Sequence, residues 1–111
     1  MKTIILPDSI ENIRYGAFSC CYALEKINLP QNLNYLGECS FVKCRKLNEI
    51  KIPGSVTIIR KSTFSECGTL QKVTIDDSVT TIEDGAFKGS SISIIEIPLS
   101  LRTEHFFLLK R

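Results

Sequence analysis

The chain has 111 residues, enough for one folded unit, and 43% of them are apolar, enough to build a continuous core. A charged fraction of 23% and a net charge of +2, with Lys and Arg scattered among Asp and Glu, give no footprint for nucleic acid or an anionic membrane. The first apolar run stops at Pro7, too short for a signal-peptide core, and the longest, residues 106–109, makes about one helical turn, too short to cross a bilayer.

Residues 2–6 read as a first strand, with Ile4 and Leu6 facing one way and Thr3 and Ile5 the other. Pro7 and Ser9 mark a turn; Ile10, Ile13, Ala17 and Phe18 follow as inward positions of a return path. The same order recurs 23 residues on: a strand at 25–29, Pro30, Leu33, Leu36, Ser40 and Phe41. It recurs again as a strand at 48–52, Pro53, Val56, Ile59, Thr63 and Phe64, and again as a strand at 71–75, Asp76, Val79, Ile82, Ala86 and Phe87. A fifth strand is read at 93–97, one residue early, so a deletion falls within residues 88–91. After Leu101 the pattern lapses, and Glu104 stands where an apolar residue is due.

Scattered apolar residues at the overall frequency do not fill five columns over four successive copies, so the 23-residue period is real. No copy buries its apolar face alone; stacking makes the core. Each strand is reached by a full turn in one direction, so the predicted fold is a repeat solenoid: a β-rich right-handed coil with a parallel sheet and an irregular or 3₁₀ return path. Residues 1–101 form about four coils plus a half coil at the start, and 102–111 are a degenerate tail. Phe106, Phe107, Leu108 and Leu109 in that tail are expected to fold over the last coil as a cap.

The coil pattern is spelled most fully by Leu47, Ile50, Ile52, Pro53, Ser55, Val56, Ile59, Thr63, Phe64 and Cys67. It closely resembles the BspA-like class of leucine-rich repeats, over residues 1 to about 101. Asn32 in place of Ser, Ser90 near the Cys position and the unmatched tail depart from it. The resemblance implies a curved solenoid that binds proteins, commonly on the surfaces of anaerobic bacteria and protists, with adhesion as the usual inferred role. It leaves the address open: cell surface for a piece of a typical family member, cytoplasm for a complete chain.

Chemistry has few candidates. Cys21, Cys44 and Cys67 lie 23 apart and share one slot, which points to buried, reduced packing residues over a disulfide or a zinc site. Cys44→Ala is expected to be milder than Cys44→Ser, on the reasoning that a hydroxyl there has no partner. Cys20 and Cys39 fall outside that column and are the candidate exposed thiols, the nucleophiles of an alternative thiol-enzyme reading. The single histidine, His105, lies in the tail. The turn serines Ser9, Ser55, Ser78 and Ser100 are expected to bond local backbone. No catalytic set, metal site or cofactor site is predicted.

The predicted binding surface is the outward face of the sheet: Lys26, Asn28, Glu49, Lys51, Lys72, Thr74 and Glu96. Lys26, Glu49 and Lys72 form an alternating charge column, read either as a ladder stabilising neighbouring strands or as a partner-binding face. Thr3 and Ile5 lie on the first strand's open edge, which is expected to pair with a second copy, most simply about a two-fold axis, or with preceding repeats of a longer parent chain. The expected function is a non-catalytic protein-binding module, with an intracellular scaffold or a structural lattice component as alternatives. Its partner is expected to be a protein, without nucleic acid and without membrane insertion.

Overall fold

A computed structural model describes residues 2–96, with side chains through residue 93. In chain order its strands are β1 (Lys2–Ile5), β2 (Asn12–Ile13), β3 (Leu24–Asn28), β4 (Tyr35–Leu36), β5 (Glu49–Ile52), β6 (Ile58–Ile59), β7 (Lys72–Ile75), β8 (Thr81–Ile82) and β9 (Ile94–Glu96). Odd-numbered strands stack along one side of a β-solenoid of about four turns, and even-numbered ones along the return path; no helix occurs among the described residues. Every pairing is parallel.

The registers carry the sequence columns. Ile4 faces Ile27, Ile50 faces Val73 and Val73 faces Ile95, while on the return path Ile13 faces Leu36 and Ile59 faces Ile82. The return path is thus partly ordered strand, because its β-branched residues favour extended backbone and find the same residues one coil away. Phe18, Phe41, Phe64 and Phe87 stack at centroid spacings of 5.3, 5.4 and 5.4 Å with planes within 10°. Ser40, Thr63 and Ala86 are buried beside them, and their small side chains leave room for the rings.

The third side of each coil is a chain of turns closed by N–H to C=O bonds three residues apart, such as Ala17 to Arg14, Ser19 to Gly16 and Cys21 to Phe18. Left-handed residues interrupt them twice per coil. One row is Gly16, Cys39, Ser62 and Gly85, the other Cys20, Lys43, Glu66 and Gly89, with φ between 58° and 78°. Those kinks aim backbone N–H groups along the solenoid axis. Phe18, Phe41 and Phe64 donate to the carbonyls of Ser40, Thr63 and Ala86 at 2.7, 2.9 and 2.8 Å, each to the following coil.

This turn ladder crosses every junction between coils, but the strand ladders do not. The single five-stranded sheet expected from the sequence is instead two sheets, β1–β3 and β5–β7–β9, and the return strands likewise pair only as β2–β4 and β6–β8. Both openings lie between the second and third coils, where on the sheet side the Asn48 N–H still donates to the Glu25 carbonyl at 3.3 Å. On the return side the coils differ at one slot. Gly37 lies so close to the first coil that a Cβ would sit 2.7 Å from backbone atoms of Arg14 and Tyr15. Arg60, its equivalent one coil later, instead lays its guanidinium over the Tyr35 ring at 4.6 Å across the open junction.

Two details correct the sequence reading of the turns. Ser78 donates to the Gly54 carbonyl of the preceding coil, a contact between coils, and the Ser55 hydroxyl is buried without a partner, so these serines do not share one local role. The fourth-coil deletion falls between Ser90 and Ser91: Ser91 donates to Gly68 C=O at 2.6 Å as Thr69 does to Arg45 C=O at 2.7 Å, so the counterpart of Gly68 is missing. The capping tail, with His105 and Ser100, lies outside the described residues.

Candidate binding surface

Alternation along each odd-numbered strand turns its even-slot side chains inward, where Ile27, Ile50, Ile52, Val73 and Ile75 are buried, and the intervening residues outward. Registers set Glu49 opposite Lys72, Lys51 opposite Thr74 and Thr74 opposite Glu96, as the sequence columns require. Lys26, Asn28, Glu49, Lys51, Lys72 and Thr74 then line one cleft of about 390 Å³ on the outer face of β3, β5 and β7. Glu96 continues the row in the backbone of β9, and its side chain lies outside the described ones. The cleft sits over the junction where the sheet opens between β3 and β5.

Gln31 and Pro53 also line the cleft and were not foreseen as surface contributors. Both sit in the turn that ends a strand, and the only signal was the Pro column, to which Pro53 belongs and which Gln31 follows.

The charge column does not run as an even ladder. Glu49 pairs with Lys26 across the open junction, Oε1 to Nζ 3.4 Å, with both side chains nearly half exposed at 42% and 47%. Such a pair contributes under about 1 kcal/mol in solvent. Lys72, although in register with Glu49, makes no ion pair among the described residues, and neither does Lys51. Among the described side chains, three lysines stand against one glutamate in the cleft.

At the N-terminal end the core columns come to the surface. Ile4, Ile10 and Phe18 are half-buried where their counterparts Ile27, Leu33 and Phe41 are fully enclosed, and a hollow of about 320 Å³ opens beside Leu6, Ile10, Ala17 and Phe18. On the adjoining edge strand Thr3 is exposed, and Ile5 is 74% exposed.

The cysteines divide only in part as their slots suggest, since Cys21, expected buried at the open first coil, and Cys39, expected exposed, are both half-buried. Cys44 and Cys67 are buried and free, and burial pushes their thiols up to about 11 and about 12. Each thiol donates to the Phe carbonyl of the preceding coil, Cys44 to Phe18 at 3.2 Å and Cys67 to Phe41 at 3.1 Å. The slot therefore holds an acceptor within reach of a thiol. In the fourth coil the shorter side chain of Ser90 fails to reach one and its hydroxyl is buried unpartnered. Cys20 is exposed, and hydrogen bonds with Tyr22 and Ser19, with Lys43 and Arg45 nearby, hold its thiol below the ordinary value. Tyr22 in turn is raised by Cys20, and Tyr15 by its bond with Cys39. Cys20 is polarised by hydroxyls and cations; no imidazole stands among the described residues to act as its base.

These features define a repeat module: a parallel β-solenoid whose coils share one core and present a polar, lysine-bearing strand face. The chain belongs to the BspA-type leucine-rich repeat family, since the model of the BspA type leucine rich repeat region matches six copies over residues 1–106. It is similar to the crystal structure of the leucine-rich repeat protein of T. pallidum, with 32% identity and a TM-score of 0.76, covering 84% of this chain and 43% of that one. It is also similar to a leucine-rich cell surface protein from Faecalibacterium prausnitzii A2-165, with 20% identity and a TM-score of 0.46, covering 88% of this chain and 42% of that one. The chain spans less than half the length of either solved structure. No curated protein matches it.

Proposed function

We propose that the chain is a non-catalytic protein–protein interaction module that binds its partner on the outer face of β3, β5 and β7. The observation that carries this reading is the convergence of Lys26, Asn28, Glu49, Lys51, Lys72 and Thr74 on one cleft. Family membership supports the class, since a solenoid offers an extended, repetitive surface. A cross-linking pull-down with the chain as bait tests it, repeated with Lys26→Glu, Glu49→Lys and Lys72→Glu combined. Loss of the same bands in the triple variant, with retention in a Lys43→Glu control on the turn side, is the expected result. Equal capture by both variants overturns the assignment of the face.

The exposed edge of β1 favours a second role in self-association, through Thr3, Ile5 and the open apolar columns behind them. The thiol-enzyme alternative is tested by labelling Cys20 and Cys39 with iodoacetamide. Reactivity no faster than a free thiol of similar acidity removes it, and selective modification of one residue at many times that rate restores it.

A further inference from the structure

We propose that the cleft on the outer face of β3, β5 and β7 receives an extended acidic segment of a partner protein, one with carboxylates at every second residue. This rests on reading the strand face as the binding surface and adds the class of ligand. Charge is the first argument. Lys26 and Glu49 satisfy each other at 3.4 Å, which leaves Lys51 and Lys72 as the cations without an ion-pair partner among the described residues. A ligand that neutralises both gains two charge-assisted contacts without breaking an existing one.

Spacing is the second argument. Lys51 faces Thr74 and Lys72 faces Glu49, so the two lysines are diagonal neighbours on adjacent strands. With strands about 4.8 Å apart and a rise of about 3.3 Å per residue, their Cβ atoms are separated by roughly 8 Å. Side chains at i and i+2 of an extended peptide lie about 6.6 Å apart on one face, a mismatch that flexible lysine stems absorb. A helix brings i and i+4 together instead and docks by an apolar stripe, whereas the outward strand side chains here are Lys26, Asn28, Glu49, Lys51, Lys72 and Thr74.

The neutral lining fits an extended backbone as well. Asn28, Gln31 and Thr74 offer donors and acceptors to peptide groups. Nucleic acid fits less well: the cleft has no aromatic ring among its described lining residues for a base to stack on.

The test is a titration of the isotope-labelled chain with three blocked octapeptides, alternating Glu–Thr, Gln–Thr and Lys–Thr, followed by amide chemical shifts. The expected result is that the Glu–Thr peptide alone moves the amides of Asn28, Lys51, Lys72 and Thr74. Its affinity should fall at least tenfold in Lys51→Glu/Lys72→Glu and severalfold on raising sodium chloride from 50 to 500 mM, as screening of exposed charges requires. Lys43→Glu should leave it unchanged. Equal binding of the Glu–Thr and Gln–Thr peptides at these amides overturns the acidic class and leaves the face reading standing. Shifts confined to other surfaces overturn both readings. Failure of every peptide, or displacement of the Glu–Thr peptide by a tighter-binding oligothymidylate, overturns the acidic-segment proposal; the pull-down then judges the face on its own.

Discussion

Truncation of Phe64 to Ala removes the centre of the aromatic stack. Its ring is fully buried between Phe41 and Phe87, with centroids 5.4 Å away on both sides. Large-to-small changes at such sites cost about 3–5 kcal/mol, and loss of two stacking partners puts Phe64 toward the upper end. Phe18 has the same partner geometry on one side only and is already half exposed, so Phe18→Ala should cost about half as much, roughly 2 kcal/mol. Urea unfolding followed by circular dichroism reads both: with a slope of about 1.5 kcal/mol per molar, the Phe64 variant loses about 2–3 M in midpoint and the Phe18 variant about half that. Phe64→Leu, a milder truncation, keeps the comparison available if the alanine variant does not fold. Equal losses at the two sites, or a loss below about 1 kcal/mol at Phe64, refute the reasoning that burial between coils sets the magnitude.

Lys43 is exposed at φ 61°, so Lys43→Gly should relieve left-handed strain and raise stability by about 0.5–1 kcal/mol, while Lys43→Val should lower it by more than 1 kcal/mol; thermal unfolding of the pair checks the sign. Gly37→Ala should cost about 2 kcal/mol or more in the same assay, because its Cβ would meet backbone of the first coil at 2.7 Å. The Cys44 and Cys67 thiols are raised above the ordinary value by burial, so the protonated form is the one the fold favours. Their contribution is complete below the unfolded thiol value and is lost as pH climbs through about 11 and 12, so urea midpoints should hold to about pH 8 and then decline, less steeply in Cys44→Ala/Cys67→Ala. Ile5→Lys should weaken concentration-dependent association in sedimentation runs and leave the unfolding midpoint unchanged, since Ile5 points away from the core.

The repeat was legible because each core residue meets its own kind one coil away. Phe41 on Phe64, Ile50 on Val73 and Ile59 on Ile82 are contacts between equivalent positions, so a 23-residue step in sequence becomes a step along the axis. The outward columns followed from alternation alone, and so did the outward strand residues of the cleft, but not Gln31 and Pro53. What the columns did not show was the opening between the second and third coils, which depends on how single slots such as Gly37 and Arg60 set the approach of neighbouring coils. The left-handed rows were also hidden, since Cys20, Lys43 and Glu66 adopt there a conformation that their residue types do not advertise. Gly16, Gly85 and Gly89 were the available hint. The thiol bonds to Phe18 and Phe41 escaped because an apolar column gives no sign of which carbonyls it passes.

The turn ladder makes the array a one-way street. Phe18, Phe41 and Phe64 all hand their N–H forward, and the carbonyls of Ser40, Thr63 and Ala86 all look back. In the first coil Tyr15, Ala17 and Ser19 hold the equivalent backward-looking carbonyls, so along the turns the N-terminal face offers acceptors. Two such faces brought together about a two-fold axis can join their β1 edges, but they set oxygen against oxygen at the turns. A unit that arrives tail first supplies the missing donors. Traffic through this face therefore runs in a single sense: coils can be added, exchanged or stacked from another copy, provided the direction of travel is kept, and contacts of that kind extend without closing.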